Sequence, residues 1–442
     1  ASRRETQRRA AVAALALIAV VGGLGLAVYA FGGTGQQAAI SSINAGQAAL
    51  EKAEANLDEV AGPGIDLVED DPDRARDLLT EAYEQLDLAA DAGIGARTID
   101  PVREDVVANL DRLFGVVPVA TADLFPFVPA EGGAPFDLRA LVRGPDGAPY
   151  VIDAATKSVY RVDLKRKKAT AVLRAGKKAG GTTIATPRFL AVGGRDLLIL
   201  DAKNVLWRWR PSNDAGKGTL GKVTVNGARS WGDDVTAMGT FLRDRERGLY
   251  NLYVVDPSEQ QIRAYSPAAD GGGFPAKSTG WLDTARPVDK ISALYIDGDV
   301  FMADDGALRR YTSGKGDGWD ADEPEDELLR PSPAYGLLAG VDESRKGLVY
   351  AYDRPNARVV AYDKASGDFV NQYRLAGGDA AWEDLRGFYV LPGVDENPSM
   401  MVWLSPTGVH QVILREVPDV VPSPSPAASG SPAGSGETSP AP

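Results

Sequence analysis

The sequence predicts a mainly β protein, a six-bladed β-propeller preceded by an N-terminal transmembrane helix and an α-helical stalk. Three observations support this fold class: a hairpin phrase that recurs beyond residue 116, an uncharged N-terminal run of 22 residues, and heptad-like spacing between them. The predicted organisation is a basic cytoplasmic arm (1–9), a transmembrane helix (10–31), a stalk of helical bundle or coiled-coil type (36–115), the propeller (116–417) and a disordered Pro/Ser-rich tail (418–442).

The recurring phrase has two apolar runs joined by a polar turn, as in LYVVDPSEQQIRAY at residues 252–265. The turn begins with Asp in five copies and Ser in the sixth. These residues are Asp153, Asp201, Asp256, Asp304, Asp353 and Ser405, with separations of 48, 55, 48, 49 and 52 residues. A period of this length with several short strands is typical of propeller blades. An aspartate suits the first position of such a turn, because its side chain can accept hydrogen bonds from the following backbone amides.

The ring also needs a closing strand. After the sixth copy the chain turns to proline and serine, so no fourth strand follows it. The apolar segment 116–120 precedes the first copy and has no other assignment. We therefore expect residues 116–120 to pair beside residues 409–416, which would join the ends of the ring and remove an exposed sheet edge.

Residues 10–31 would span about 33 Å as a helix, close to the hydrocarbon thickness of a bilayer. Arg3, Arg4, Arg8 and Arg9 precede this run, so the positive-inside rule places the N-terminus in the cytoplasm and the rest outside. A cleaved signal peptide is the alternative, but its apolar core is usually only about 7–15 residues long. We expect a retained single-pass anchor in the plasma membrane, and the anchor or stalk would also allow a homodimer.

The stalk region predicts three amphipathic helices. The apolar seams are Ile43, Gly46, Leu50, Ala53, Leu57 and Val60; Ala75, Leu78, Ala82, Leu86 and Ala89; and Val102, Val106, Leu110 and Leu113. The third helix is expected to begin near Asp100, and Gly46 is the weak member of the first seam. The helices either pack as an antiparallel bundle or extend as an intermolecular coiled coil. The Gly-Pro-Gly break at 62–64 favours the bundle.

The composition excludes several kinds of chemistry. The chain has no cysteine and one histidine, His410, so thiolate metal sites, cysteine nucleophiles and imidazole pairs are excluded. A Ser-His-acid triad would require His410, for which we predict an ordinary strand position. The net charge of −13 opposes nucleic-acid binding. The acidic segment 317–327 lacks the register of a calcium loop and is predicted to be a solvated loop between blades 4 and 5.

The axial funnel of the predicted ring is its natural ligand site. The candidate ligand-binding residues lie at the starts of the predicted inner strands: Arg139, Arg188, Asp234, Lys290 and Arg386. We interpret Trp207 and Trp209 as core residues between blades, and the basic run 165–168 as a charged hairpin turn. No catalytic residue, metal or cofactor is predicted.

The repeats, with phrases such as LYVVDPSEQQIRAY and VYAYDRPNARVVAYD, resemble six-bladed propellers of the NHL/TolB-like type. Over residues 10–417 the arrangement of anchor, spacer and propeller also resembles the outer half of bacterial membrane-bound Ser/Thr kinases and PPM-type phosphatases. We expect a non-enzymatic extracytoplasmic propeller that binds a protein partner or an envelope polymer. One alternative is a sensor domain whose kinase or phosphatase domain lies upstream. A lactonase-like or quinone-dehydrogenase-like enzyme is the other, although the inner strands supply few carboxylates for such a site.

Overall fold

The computed structural model describes residues 35–214, 216–232, 234–341, 347–378, 380–393 and 398–415. The predicted basic arm, transmembrane segment and C-terminal tail lie outside the described residues. Within these ranges, no helix combines the length and apolar character needed to cross a bilayer. The described chain consists of a small bundle of helices and a ring of six β-sheets, so the protein is mainly β.

The stalk is an intramolecular helix bundle. Its helices are α1 (Gly35–Ala61), α2 (Leu67–Asp70), α3 (Pro72–Asp91) and α4 (Ala96–Leu113). The side chain of Asp71 accepts a hydrogen bond from the backbone N–H of Arg74 (3.2 Å), and this cap begins α3 with Pro72 in its first turn. Helix α4 begins a turn earlier than expected, and Pro101 lies inside it.

Most of the predicted seam forms the bundle core. The buried members are Gly46, Leu50, Ala53, Val60, Ala75, Ala82, Leu86, Ala89, Val106 and Leu110. Ile43 is 45% exposed, because α3 ends at Asp91 and no helix within the described residues lies opposite it. A Cβ built on Gly46 would lie 2.7 Å from the Cβ of Ala92 and 3.0 Å from the Cγ1 of Ile94. Gly46 therefore permits close approach of α1 to the α3–α4 connection and is not a weak position.

The ring confirms the predicted six-bladed propeller. Two strands precede the first blade, β1 (Val116–Val119) and β2 (Thr121–Pro126). Blade 1 contains β3 (Leu138–Arg143), β4 (Pro149–Asp153), β5 (Ser158–Asp163) and β6 (Lys168–Arg174). Blade 2 contains β9 (Pro187–Gly193), β10 (Asp196–Asp201), β11 (Leu206–Pro211) and β12 (Gly218–Lys222), after the short hairpin β7 (Lys178–Ala179) and β8 (Thr182–Thr183). Blade 3 contains β14 (Met238–Asp244), β15 (Leu249–Asp256), β16 (Gln261–Tyr265) and β18 (Thr279–Gly280), and beside it β13 (Thr224–Val225) pairs with β17 (Gly273–Phe274).

The second half of the ring repeats this pattern. Blade 4 contains β19 (Ile291–Ile296), β20 (Val300–Asp304), β21 (Ala307–Thr312) and β22 (Lys315–Asp320). Blade 5 contains β23 (Tyr335–Gly340), β24 (Leu348–Asp353), β25 (Arg358–Asp363) and β26 (Phe369–Leu375). Blade 6 contains β27 (Gly387–Leu391), β28 (Ser399–Leu404) and β29 (Gly408–Leu414). Short 3₁₀ turns lie at Ala228–Ser230, Pro257–Glu259, Ala376–Gly378 and Ala380–Asp384.

Strands are named A to D from the axis outward. The A strands of consecutive blades contact one another, including those of blades 6 and 1, so the ring is closed. Antiparallel pairing places the A–B and C–D turns on one side of the disc, which we call the lower face. The B–C turns and the D–A connections lie on the opposite side, which we call the upper face.

The core consists of six apolar clusters, one between each pair of neighbouring blades. Successive side chains of a strand point to opposite faces of its sheet, so each B strand contributes to two clusters. In β10, Leu197 and Ile199 pack against blade 1, whereas Leu198 and Leu200 pack against blade 3. This explains why the B strands are apolar at almost every position. Trp207 and Trp209 lie in the cluster between blades 1 and 2, as predicted.

The repeated aspartates stabilise the upper face. Asp153 accepts hydrogen bonds from the backbone N–H groups of Thr156 in its own turn and of Asp137 before strand A, both at 2.8 Å. Asp201 accepts the equivalent bonds in blade 2, and Asp353 of blade 5 accepts from the backbone N–H of Ala334 before strand A and from the side chain of Asn356 in its own turn. Each of these carboxylates therefore joins a B–C turn to the connection that enters the same blade. Asp256 is buried at the matching position, where its carboxylate meets only a weak contact from the backbone N–H of Glu259 in its own turn and does not join the turn to the connection that enters blade 3.

The ring is closed by an N-terminal strand, but the predicted segment is wrong by about five residues. Strand β2 pairs with β29 as the outer strand of blade 6 and places Thr121 opposite Val412. Strand β1 instead pairs in parallel with β26 of blade 5. The reason is the end of α4, because the backbone N–H of Gln372 in β26 donates to the carbonyl of Gly115 (2.9 Å). The chain therefore pairs first with the outer strand of blade 5, through β1, and then with the outer side of blade 6, through β2.

The acidic segment 317–327 leads into a joint between the bundle and the ring. Asp326 is buried and accepts hydrogen bonds from Arg330 Nη1 (3.1 Å), Gln372 Nε2 (3.1 Å) and Arg358 Nη1. Gln372 Nε2 also donates to the carbonyl of Phe114 at the end of α4 (3.0 Å). The prediction of a solvated loop is therefore wrong for Asp326, because three donors replace its water, and for residues 317–320, because they belong to strand β22.

Two further contacts complete this joint. Arg330 pairs with Asp111 of α4, and Arg76 of α3 pairs with Glu325 (2.6 Å). Leu328 and Leu329 pack against the apolar core of the bundle. The bundle consequently lies against the outer edge of blade 5, beside blade 4.

Candidate functional site

The predicted funnel residues lie at the upper ends of the A strands, as expected from their positions. Arg139 forms an ion pair with Asp137 (2.6 Å). Arg386 donates to Asp384 (3.0 Å). Both partners precede the strand that the arginine begins, so these pairs are local to blades 1 and 6.

The other three funnel candidates have similar contacts. Lys290 pairs with Asp305 of the neighbouring B–C turn (2.6 Å). Arg188 Nη2 donates to the carbonyl of Val235 (2.7 Å), and Asp234 accepts from the hydroxyl of Ser258 (3.0 Å). Four of the five predicted residues thus have a partner within their own blade, whereas Arg188 of blade 2 contacts the connection that enters blade 3. A ligand site shared by all five stays a prediction.

The lower part of the axis contains an apolar cavity of about 380 Å³. Its walls include Leu190, Met238, Leu242, Leu294 and Ile296, and no carboxylate lines it. Across the residues that the structure describes, no three Asp, Glu or His side chains are grouped as they would be in a metal site. The cavity can hold an apolar group but provides no carboxylate for acid–base chemistry.

His410 connects Asp123 and Ser405 in an arrangement that the sequence did not predict. Its Nδ1 lies 2.7 Å from Asp123 Oδ1, and its Nε2 lies 2.9 Å from Ser405 Oγ. Such an alignment can activate a serine if the site also binds a substrate and stabilises an oxyanion. Here Ser405 replaces the aspartate of the other blades, and its Oγ accepts from the N–H of Thr407 (3.3 Å) to shape the turn. The Asp123 side chain is 76% exposed, and the pair attaches the closing strand β2 to β29.

Charge is distributed very unevenly along the chain. Residues 138–280, which form blades 1–3, contain 24 Lys and Arg and 13 Asp and Glu, an excess of 11 positive charges. Residues 291–414, which form blades 4–6, contain 11 basic and 21 acidic residues. The stalk region 36–115 contains 6 basic and 18 acidic residues. The net charge of −13 averages over these differences and therefore conceals the positive charge of blades 1–3.

The positive charge is concentrated on the lower face of blades 1–3, which we call the basic face. Its exposed cations lie in or beside the A–B and C–D turns: Arg143, Lys165, Arg166, Lys167, Lys168, Arg195, Arg210, Lys217, Arg243, Arg245, Arg247 and Lys277. The exposed carboxylates there are fewer, namely Asp146, Asp214, Glu246 and Asp270. Asp163 is less exposed, and the backbone N–H of Arg166 holds its pKa below the ordinary value. The face can therefore attract an anion over three adjacent blades.

A cleft of about 330 Å³ opens on this face between blades 2 and 3. At its floor, the buried Asp196 accepts hydrogen bonds from Arg210 Nε (2.7 Å), Arg210 Nη2 (3.1 Å) and the hydroxyl of Tyr250 (2.9 Å). This carboxylate raises the pKa of Arg210, and burial raises the pKa of Tyr250. Arg208 Nη1 lies 3.7 Å from Asp196 and donates to the carbonyl of Gly271 (2.7 Å).

The sequence contains basic runs that indicate this site, but the net charge of the whole chain conceals them. The runs KRKK at 165–168, WRWR at 207–210 and RDRERG at 243–248 all fall within the first three repeats. Counting charge for each repeat would have found the basic half of the ring. Placing these runs on one face additionally requires the strand order, because each lies at the end of a strand or in the turn that follows.

No protein-family model matches this chain, and no curated protein matches it. Solved structures match this chain at low identity and with TM-scores below 0.5. The WD40 repeats of RRP9 are 12% identical, with 68% of this chain and 99% of that chain covered and a TM-score of 0.42. Virginiamycin B lyase from Staphylococcus aureus is 10% identical, with 67% of this chain and 99% of that chain covered and a TM-score of 0.40. The calcium-binding protein regucalcin from Agrobacterium tumefaciens is 12% identical, with 68% of this chain and 96% of that chain covered and a TM-score of 0.42. At these identities the likeness concerns the fold alone.

Proposed function

We propose that this protein is a non-enzymatic, membrane-anchored extracytoplasmic propeller whose basic face binds an anionic polymer of the cell envelope. The observation that carries the proposal is the excess of 11 positive charges in blades 1–3 of a chain whose net charge is −13. Of the two partner classes expected from the sequence, a protein and a polymer, the charge distribution favours the polymer. Repeated acidic groups can contact cations on three blades at once, and such contacts add through multivalency.

The position of the bundle supports the same function. Its contacts with the ring are on the outer edge of blade 5, so the bundle leaves the lower face of blades 1–3 open. The acidic bundle is also separated from the basic half of the ring by blades 4 and 6. A bundle joined to an anchor at residues 10–31 would hold the basic face away from the membrane surface.

Binding of defined polymers tests the proposal. The probes are fluorescent poly-L-glutamate and polyphosphate, with neutral dextran as the negative probe, and the purified protein is kept in nonionic detergent. We expect both polyanions to bind and dextran not to bind. Affinity should fall steeply as salt is raised, because the attraction between exposed charges is screened.

Matched charge reversals locate the binding surface. The double variant Lys165→Glu/Lys168→Glu alters the basic face and should weaken polyanion binding about tenfold. The control Lys177→Glu/Lys203→Glu makes the same charge change with exposed residues on the upper side of blades 1 and 2, and should change the affinity less than about twofold. Equal losses in the two variants would show that binding follows net charge alone. Binding to anionic lipid vesicles without binding to either polymer would also overturn the proposal.

The joint at Asp326 favours a sensor domain as the second candidate function. Buried contacts connect helix α4 to strands of blade 5, so a movement of the ring would also move the bundle. A sensor requires a catalytic domain on the cytoplasmic side of the anchor. Sequencing the coding region upstream of Ala1 tests this, because an in-frame Ser/Thr phosphatase or kinase domain is expected and a stop codon close to Ala1 would exclude it.

A further inference from the structure

We infer that the cleft between blades 2 and 3, with Arg195, Arg208, Arg210 and Arg247 in its lining, binds a single carboxylate or phosphate group of the ligand. This inference rests on the proposed function and assigns one specific anchoring pocket within the basic face. Arg-lined pockets suit such groups, because the planar guanidinium matches two oxygens of a carboxylate or phosphate.

The first argument is that the donors are held in place before any ligand binds. Asp196 is only 3% exposed and fixes the Nε and Nη2 edge of Arg210, whose side chain is half exposed. A guanidinium has five N–H donors, so this contact leaves three of them for another acceptor. Tyr250 fixes the carboxylate from the opposite side through its hydroxyl. Because the Arg210 side chain is already held in place, binding of an oxyanion to it costs little side-chain entropy.

The second argument is the charge balance of the cleft. Its lining contains four guanidinium groups and three carboxylates, those of Asp196, Glu246 and Asp270, and Arg247 also pairs with Asp244 (3.8 Å) beside it. At the floor, the single carboxylate of Asp196 faces both Arg208 and Arg210, so one positive charge is left over there, which a singly charged oxyanion would neutralise. Asp196 is already used at the floor, and Asp270 accepts from the backbone N–H of Gly272 (2.8 Å). Arg195, at the rim, is exposed and makes no hydrogen bond or ion pair with another described residue.

The third argument is the shape of the cleft. On the axial side, the A–B turns of blades 2 and 3 touch, since a Cβ built on Gly194 would lie 2.7 Å from the carbonyl oxygen of Gly248. This contact closes one end of the cleft. Tyr250 and Phe274 meet edge to face in its wall, with ring centroids 6.1 Å apart, and Pro267 adds apolar surface. An acidic group on a short carbon chain fits both the charged floor and these walls.

Substitution of the two rim arginines tests the assignment, because Arg195 and Arg247 are exposed and lie outside the Asp196 contacts. Binding of N-acetylglutamate and of glycerol 3-phosphate is measured by calorimetry, so that the carboxylate and phosphate sources are separated. Arg195→Gln/Arg247→Gln should weaken binding of the preferred small acid and of the polymer about fivefold or more. Arg174→Gln/Arg354→Gln removes two exposed arginines from the upper face and should leave both affinities within about twofold.

The outcomes separate this inference from the proposed function. If poly-L-glutamate or polyphosphate binds and responds to Lys165→Glu/Lys168→Glu, but not to Arg195→Gln/Arg247→Gln, the cleft assignment is overturned and the function stands. If neither polymer binds the unaltered protein, the function itself is overturned. Binding of neither small acid to the unaltered protein would also reject the cleft, as would loss of small-acid binding with unchanged polymer affinity.

Discussion

Arg358 and Asp326 form an ion pair inside the joint between the stalk and blade 5, with side-chain exposures of 0% and 3%. Asp326 is also the shared acceptor for Arg330 and Gln372. Removing one member of a buried pair leaves the other charge without compensation. We expect Asp326→Asn to lower the free energy of unfolding by about 3–5 kcal/mol, measured by denaturant titration.

The neighbouring Glu325 provides the control for this prediction. Its pair with Arg76 is exposed, with side-chain exposures of 58% and 43%. Exposed pairs contribute about 0–1 kcal/mol, so Glu325→Gln should change the stability only slightly. If Asp326→Asn and Glu325→Gln had similar free energies of unfolding, the buried pair of Asp326 and Arg358 would not have the stabilising role assigned to it.

Gly46→Ala should destabilise the helix bundle although alanine favours helices. The helix propensity of alanine would contribute about 1 kcal/mol in favour of the variant. The new Cβ would lie 2.7 Å from the Cβ of Ala92, and relieving this overlap should cost more, giving a net loss of about 1–3 kcal/mol. Thermal unfolding followed by circular dichroism measures the change. Gln47→Ala, at an exposed position of the same helix, should be neutral or slightly stabilising.

Asp256→Asn should stabilise the protein at neutral pH. Burial raises the pKa of Asp256, because its charged form has lost water, and this effect outweighs the lowering by Arg263 and by the backbone N–H of Glu259. The contribution of Asp256 to stability is therefore greatest below the ordinary pKa of aspartate and is lost as the pH rises through the raised pKa. Removal of the charge should add about 1–2 kcal/mol at pH 7.

Denaturant titrations at several pH values check the sign of this effect. The advantage of Asp256→Asn should disappear below the ordinary pKa of aspartate, where Asp256 is neutral in both the folded and unfolded protein. Asp201→Asn is the matched control, because Asp201 accepts bonds from Ala185, Lys203, Val205 and Trp207 in blade 2. That variant should lose about 2–3 kcal/mol at pH 7. Destabilisation of both variants at pH 7 would show that Asp256 is solvated or bonded in solution.

Ser405→Ala should reduce stability without removing a catalytic group. The variant loses the contacts of Ser405 Oγ with the backbone of Thr407 and the ring of His410, which together should contribute about 1 kcal/mol. A fluorophosphonate probe reports on nucleophilic serines and should not label the unaltered protein. Stoichiometric labelling at Ser405 that is absent from Ser405→Ala would instead identify an acyl-transfer nucleophile.

The repeat was sufficient to predict the ring, because the apolar runs and turn residues of a blade are determined locally. The phrase ending at Tyr265 contains strands B and C together with the turn between them. The choice of closing strand was not local. It depends on where α4 ends against blade 5, and that position is fixed by Gln372, which is distant in sequence from Gly115.

The candidate site was harder to predict for a similar reason. Arg195, Arg210 and Arg247 come from different strands or turns, and the antiparallel order of two blades places them at one cleft. The residues that begin the A strands were easy to find in the sequence, yet their partners, such as Asp305 for Lys290, became visible only once neighbouring turns were placed. Asp326 shows the same limit, since its three donors come from the joint and from two strands of blade 5.

Because β2 closes the ring by pairing with β29, the propeller can be completed only after β29 has been synthesised. During synthesis β2 emerges before every blade, whereas its partner β29 at Gly408–Leu414 emerges last. The edge of β2 must therefore remain without its partner until almost the whole chain has left the ribosome, and pairing across such a separation is slow. A ribosome that stops just before residue 408 would release five complete blades, the strands β27 and β28 of blade 6, and β2 without its partner, a species with exposed edges that should be prone to aggregate.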